Sequence, residues 1–277
     1  MKPAAFAYRR PESLEEALAD LAELGGTCRP LAGGQSLLPM MALRLAQPEV
    51  LVGLERVEEL RGVEVGPTQL VVRAMTTEHE LERQPSLPLI LQLALHHIGH
   101  LQIRTRGTVG GSLAHMDPAA EWPALALLLD ATMTVASIRG RREIPAESFI
   151  LGPLTTAIAE DELLEAVTLR TPRMGQGFAE VERRSGDFAL VGAACQGTAV
   201  VVFAAGPRPQ RLRTVETLLD QGGGPGEELR HLAWSEIEAG GDLHASAEYR
   251  RQVGAGLVDR VVTAARSHEE SCREGLS

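Results

Sequence analysis

Cysteine is scarce in this chain. Cys28, Cys195 and Cys272 are the three present in 277 residues, and they stand far apart. That spacing excludes a disulfide framework and offers no CxxC pair for zinc or for iron and sulfur, so any metal cluster must sit on another chain. Cationic excess is also lacking: 27 Lys and Arg against 37 Asp and Glu leave a net charge of −10. The basic residues are scattered, which argues against a nucleic-acid surface. Long apolar runs are missing as well. The most hydrophobic segment, "WPALALLLDATMTVASI", is interrupted by Pro123 and Asp130, and the opening "MKPAAFAYRRPES" has no apolar core of a signal peptide. A cytoplasmic protein without a membrane span is expected. Neither GxGxxG nor GxxxxGK followed by Ser or Thr occurs, so the common Rossmann and P-loop readings fail.

What the sequence does have is glycine in a pattern. "RPLAGGQSLLPMM", Arg29 to Met41, sets two adjacent glycines before a serine, and "RGTVGGSLAHMDPAAEW", Arg106 to Trp122, repeats the arrangement. A glycine in a folded segment costs roughly 0.5–1 kcal/mol relative to alanine, so four of them need a conformational or steric reason. Tight turns are one reason and close approach of a ligand is another. Successive main-chain N–H groups in such turns form an anion site, and each charge-assisted bond there contributes about 1.5–3 kcal/mol. Two such loops, with hydroxyls at Ser36, Thr108 and Ser112, suit a pyrophosphate without any lysine. A valine at Gly33 or Gly110 is expected to disfavour positive φ and to push a phosphate away.

The rest of the chain reads as mixed helix and strand, without strict βαβ alternation or a solenoid repeat, and its length makes two domains the prior. "SLEEALADLAELG" pairs Ser13 with Glu16 at capping-box spacing and carries Leu14, Ala17, Leu18 and Leu21 at helical period. Strands are expected at "CRPLAGG", "PEVLVGL", "VEVG", "TQLVVRAM", "ATMTVASI" and "ELLEAVTLR", with helices over about 77–84 and 88–97. Asp117 and Pro118 suit the N-cap and first position of a helix through "AAEWPALALLLD". The stretch "TPRMGQG", Thr171 to Gly177, reads as a boundary, after which "FALVGAACQGTAVVVF" suggests strands, "DQGGGPGEELR" a loop and "SAEYRRQVGAGLVDRVVTAARS" a terminal helix.

"PLAGGQSLLPMMALRLAQPEVLVGL", "AMTTEHEL", "IRTRGTVGGSLAHMDPAAEWPALALLLDA" and "DELLEAVTLRTP" together resemble the FAD-binding medium subunit of molybdenum hydroxylases, the carbon monoxide dehydrogenase and xanthine dehydrogenase family. The resemblance covers nearly the whole chain. It implies an α+β fold of the vanillyl-alcohol-oxidase type: an FAD-binding domain over 1–173, with subdomains of about 1–56 and 57–173, followed by a smaller α+β domain over 174–277. Carried over by position, Ala32, Gly33, Gly34, Gln35 and Ser36 wrap the pyrophosphate of FAD, flanked by Arg29, Leu31 and Leu37. Thr108, Gly110, Gly111 and Ser112 meet it from the second subdomain, with Gly99 beside the cofactor. Ala114, Asp117 and Glu121 fall near the adenosine, Glu121 matching an acidic ribose contact, and Leu163 falls at the flavin end. Phe188 sits where relatives place an aromatic or branched residue against the ring; ordinary core packing is its other reading. Leu190 stands where some relatives have lysine.

The same resemblance implies partners: a small subunit with two 2Fe–2S clusters and a large molybdenum-cofactor subunit, assembled as a dimer of heterotrimers. Electrons would enter FAD from the clusters and leave to an external acceptor, with no catalytic acid, base or nucleophile required of this chain. The alternative is a self-contained FAD-dependent oxidoreductase of the same fold with its own organic substrate. In "HHIGH", His96 and His100 stand at i and i+4, a spacing that could offer two metal ligands; with Gly99 between them and no third ligand, a solvated helix end is the expectation.

Overall fold

Ser13 opens the first helix as its spacing requires. Its hydroxyl accepts the Glu16 N–H at 3.2 Å, while the Glu16 carboxylate accepts from Glu12 N–H at 2.8 Å and not from Ser13, so the capping box is half closed. Gly25, at φ 53°, ends the helix. The computed structural model describes residues 2–171 and 175–274. The expected domain boundary between 173 and 174 therefore lies outside the described residues.

Along the chain the first unit consists of β1 (Ala7–Arg9), α1 (Leu14–Leu24), β2 (Cys28–Leu31), α2 (Leu37–Ala42) and β3 (Val50–Gly53). β3 pairs in parallel with β1 on one side and β2 on the other. The apolar stripe of α1 buries Leu14, Ala17, Leu18 and Leu21 against Cys28, Val52, Leu54 and Leu60.

The second unit runs β4 (Val63–Val65), β5 (Gln69–Arg73), α3 (Glu78–Glu82), α4 (Leu89–Leu95), α5 (Leu101–Arg104), α6 (Val109–His115), α7 (Glu121–Leu128), β6 (Thr132–Ser137), β7 (Gly140–Pro145), α8 (Ala146–Phe149), the hairpin strands β8 (Ile150–Gly152) and β9 (Thr155–Thr156), and β10 (Leu163–Arg170). Its antiparallel sheet has the order β4-β5-β10-β6-β7. The C-terminal unit adds β11 (Gln176–Glu182), β12 (Ala189–Gln196), β13 (Ala199–Phe203) and β14 (Gln210–Arg211), an antiparallel sheet in that order, with α9 (Arg213–Asp220), α10 (Glu227–Glu236) and α11 (Ala247–Glu274).

Strand alternation divides the C-terminal sheet between two cores. Ala194, Val201 and Phe203 join the core around α7, whereas Val191, Ala193, Cys195, Val200 and Val202 pack under α9, α10 and α11. Packed on the C-terminal sheet and beside α6 and α8, α7 is apolar after its first residue, Glu121, and Trp122, Ala124, Leu125 and Leu128 are all buried. The two units are also joined at α4, where the Gln176 side-chain oxygen accepts the Ile90 N–H at 2.8 Å.

Four local expectations change. Gly110 and Gly111 lie inside α6 and not in a loop. α7 starts at Glu121 with Ala120 as N-cap, because the Asp117 carboxylate is used locally, accepting the Ala119 N–H at 2.9 Å in a turn before the helix. α4 stops at Leu95, short of His97. α10 begins at Glu227, so Glu227 to Arg230 of the expected glycine loop are helical.

Trp122→Ala should cost about 3–5 kcal/mol through the cavity left behind. Because the indole lies in the core shared by the second and C-terminal units, both should lose stability together. Urea unfolding followed by far-UV circular dichroism should show one shifted transition; a C-terminal transition left unshifted would contradict the shared core.

Candidate cofactor site

A cavity of about 670 Å³ opens between the first and second units, within the range of small-molecule sites. Arg29, Leu31, Ala32, Gly33, Gly34, Gln35, Ser36 and Leu37 enter its wall from β2 and the turn into α2. Thr108, Gly110, Gly111, Ser112, Ala114, Asp117 and Glu121 enter from α6 and its approach to α7. Gly99 lies before α5, Leu163 opens β10, and Phe188 stands on the turn from β11 to β12. All of these line the same cavity.

The two glycine segments touch each other. A Cβ added to Gly33 would overlap the Arg106 carbonyl oxygen, and one added to Gly110 would overlap Ala74, so at both positions the need is steric. Neither has positive φ; Gly34 does, at 74°, which corrects the expected mechanism of a valine substitution. The turn lines the cavity. Among the described residues, no hydrogen bond engages the N–H of Gly33, Gly34, Gln35 or Ser36, while the Gln35 side chain donates to the Gly33 carbonyl at 3.0 Å. This run of amides fits an anion. The Arg29 guanidinium is turned to the Gly26 and Cys28 carbonyls at 3.3 and 2.8 Å, so the cradle is made of backbone. Thr108 is first a helix cap: its hydroxyl accepts the Gly111 N–H at 3.1 Å.

Beyond the cradle the wall turns acidic. Glu121 is buried, and burial, reinforced by the charge of Glu180, holds its carboxyl well above the ordinary range. Glu78, which the sequence did not mark, is also buried on this wall, with an oxygen that has no hydrogen-bond partner among the described residues. Burial pushes it up to about 7; the nearby Trp122 indole and Arg104 pull the other way, although the indole N–H does not reach hydrogen-bonding geometry. A glutamate just after Thr77 looks like ordinary first-turn chemistry, and Thr77 with Glu80 does form a capping box, so nothing in the sequence marks Glu78 as buried. Glu162 behaves differently. Arg142 at 2.7 Å and the Ala159 N–H at 2.9 Å keep it charged, below its ordinary value.

Phe188 is 61% exposed at the cavity rim, which rules out core packing. Leu190 is outside the cavity lining, its carbonyl accepting from Arg250 Nε at 3.0 Å. His96 and His100 form no pair: α4 has ended, and His96 Nδ1 lies 2.9 Å from the Gln92 carbonyl. Among the described residues no helix is long and apolar enough to cross a membrane.

A backbone anion cradle opening into a largely apolar cleft defines a nucleotide-cofactor protein, and sequence comparison specifies which. Residues 4–172 match the family described as FAD binding domain in molybdopterin dehydrogenase. The chain is 37% identical to the nicotine 6-hydroxylase medium subunit of Paenarthrobacter nicotinovorans, over 96% of this chain and 99% of that one. It is 35% identical to the carbon monoxide dehydrogenase medium chain of Hydrogenophaga pseudoflava, over 96% and 98%. A solved structure of carbon monoxide dehydrogenase from that organism matches with a TM-score of 0.90 at 34% identity, covering 97% of this chain and 99% of that chain. The chain belongs to the family of FAD-binding domains of molybdopterin dehydrogenases, and FAD is its cofactor. The unengaged amides of the cradle fit the pyrophosphate of FAD.

Glu78 yields a pH prediction. Its carboxyl is raised on folding, so between its ordinary value of 4.5 and about 7 the unfolded chain releases a proton that the folded chain keeps. Stability falls across that window and stays lower above it. Glu78→Gln removes this contribution. In urea titrations of the flavin-free chain, the variant should match wild type near pH 4.5 and exceed it by on the order of 3 kcal/mol at pH 8. A difference that does not change with pH would sink the assignment.

Proposed function

We propose that this chain is the electron-transfer subunit of a molybdenum-containing hydroxylase or dehydrogenase, taking electrons from iron–sulfur clusters on a partner and passing them to an external acceptor. The observation that carries this reading is the run of unengaged amides, Gly33 to Ser36, in a turn that lines one cavity together with the segment entering α6. When bound, FAD supplies two-electron and one-electron chemistry in one group. This chain's residues bind and orient it. Gly33, Gly34, Gln35 and Ser36 hold the pyrophosphate by N–H donation, Gly110, Gly111 and Ser112 close on it from α6, and the Glu121 carboxyl meets a ribose hydroxyl on the adenosine side. Leu163 and Phe188 flank the flavin end, and the exposure of Phe188 leaves that end accessible to a partner.

The unit of β1 to β3 and the unit of β4 to β10 correspond, in this reading, to the two halves of a vanillyl-alcohol-oxidase-type flavin fold. A small subunit with two 2Fe–2S clusters and a large molybdenum-cofactor subunit complete the enzyme as a dimer of heterotrimers. Substrate oxidation belongs to the large subunit. The three dispersed cysteines of this chain support that division, since two clusters need eight ligands on the usual arithmetic of four each.

Two variants separate the roles of cradle and hydroxyl. Gly33→Ala forces the turn away from Arg106 and should abolish FAD retention in a chain that still unfolds cooperatively; Ser36→Ala should weaken retention by about 0.5–1.5 kcal/mol. Flavin content of purified protein, measured after denaturation, checks both, and equal FAD in wild type and Gly33→Ala would show the cradle to be only a turn.

Electron entry is read by stopped-flow absorbance at the oxidised flavin band. The complete complex should bleach on adding its organic substrate, the complex without its iron–sulfur subunit should not, and both should retain FAD. Rapid bleaching of the isolated chain by that substrate would favour the self-contained oxidoreductase.

A further inference from the structure

Outside the cavity, three ligating side chains converge where α4 meets the C-terminal sheet. His97 follows α4, Glu180 and Glu182 stand on β11, and one ligand atom from each lies within 4.8 Å of the others. Residues two apart on a strand share a face, so both glutamates are presented to the same neighbour. The Glu180 side chain is 0% exposed, and neither of its oxygens has a hydrogen-bond partner among the described residues. Its nearest counter-group is His97 Nδ1, at 3.5 Å from one oxygen.

The His97 contact does not satisfy this carboxylate. At 3.5 Å it is longer than a well-formed hydrogen bond, and it touches one Glu180 oxygen while leaving the other without any partner among the described residues. A buried carboxylate without hydrogen bonds or a paired charge is costly, so this geometry calls for a cation. The Phe178 ring, 5.5 Å from the imidazole between centroids, fixes His97 on one side.

We propose that His97, Glu180 and Glu182 form a binding site for one zinc ion, with the fourth coordination position open to water. One imidazole nitrogen and two carboxylate oxygens are an ordinary donor set for that metal, and three protein ligands with an open position is one of its usual arrangements. The His97 side chain is 34% exposed, which gives the ion a route from solvent. Bound there, zinc supplies the charge that Glu180 lacks and clamps the end of α4 to β11. It also reaches the cofactor cavity indirectly: Glu182 accepts the Gly186 N–H at 3.0 Å, and Gly186 lines that cavity beside Phe188. The zinc holds position and takes no part in electron transfer.

The test uses the full-length chain without an affinity tag, stripped with chelator and titrated with zinc chloride by calorimetry. Wild type should bind one equivalent saturably, and Glu180→Gln and His97→Gln should each weaken binding roughly tenfold or more, as loss of one of three ligands implies. Zinc should raise the Tm of wild type but of neither variant, while His96→Gln, outside the cluster, should behave as wild type. Glu180→Gln preserves shape and removes a buried acid, and His97→Gln alters a partly exposed residue, so each checks the other should one fold poorly. Cobalt gives an independent readout through visible absorption bands that the variants should lack. Equal zinc affinity in wild type and both variants, or no saturable binding, would overturn the proposal. Because the measurement needs no flavin, its failure would leave the electron-transfer reading untouched.

Discussion

The site depends on one steric contact between two pieces of backbone far apart in sequence. Gly33 lies against the Arg106 carbonyl so closely that a methyl group could not stand between them. That contact brings the turn after β2 up to the segment entering α6. It also explains why the amides of Gly33 to Ser36 are not consumed in regular structure: a turn pressed edge-on against another chain segment has neither a strand partner nor a helical one. On the other side, Gly110 lets α6 sit directly on Ala74 at the end of β5, so the second unit's sheet sets the height of the cavity wall.

Elements whose cause is local were legible in the sequence. The first helix follows from Ser13 and a four-residue apolar stripe, and the short third helix from Thr77 and Glu80; β12 and β13 follow from an apolar run with a glycine at its turn. Elements whose cause is distant were not legible. Gly110 inside α6 has no local justification, because its reason is Ala74, more than thirty residues upstream. β7, "GRREIP", has one buried residue and reads as a polar loop; as an edge strand it is held by ion pairs from Arg141 to Glu165 at 2.6 Å and from Arg142 to Glu162 at 2.7 Å. The glycine segments line one cavity, together with Gly99, Leu163 and Phe188 from other elements. They gave no sign of Glu78 or Glu180, whose burial depends on packing from other units. The His96 and His100 spacing assumed a helix that stops at Leu95, and it is His97 that meets the acidic strand.

The buried acids fall into two populations according to whether arginine reaches them. Glu162 and Glu165 lie under the arginines of β7 and Arg73, and remain part of the ionic surface of the sheet. Glu78, Glu121 and Glu180 have no such partner at bonding distance and lie along α3, α7 and β11, from the cavity toward the seam with the C-terminal unit. Glu216, buried in the C-terminal unit, joins the first group through Arg211 and Arg213, and burial raises the carboxyls of the second.

The C-terminal sheet, covered by α7 on one face and by three helices on the other, has a consequence for recombination among relatives. Although it follows the FAD-binding region in sequence, it is not a separable cassette, because Ala194, Val201 and Phe203 complete the core around Trp122. A chimera carrying another relative's C-terminal unit would have to match the shape of α7 as well as its own helices. Loss or replacement of that unit during divergence is therefore constrained by the packing of a helix that belongs to the cofactor-binding half.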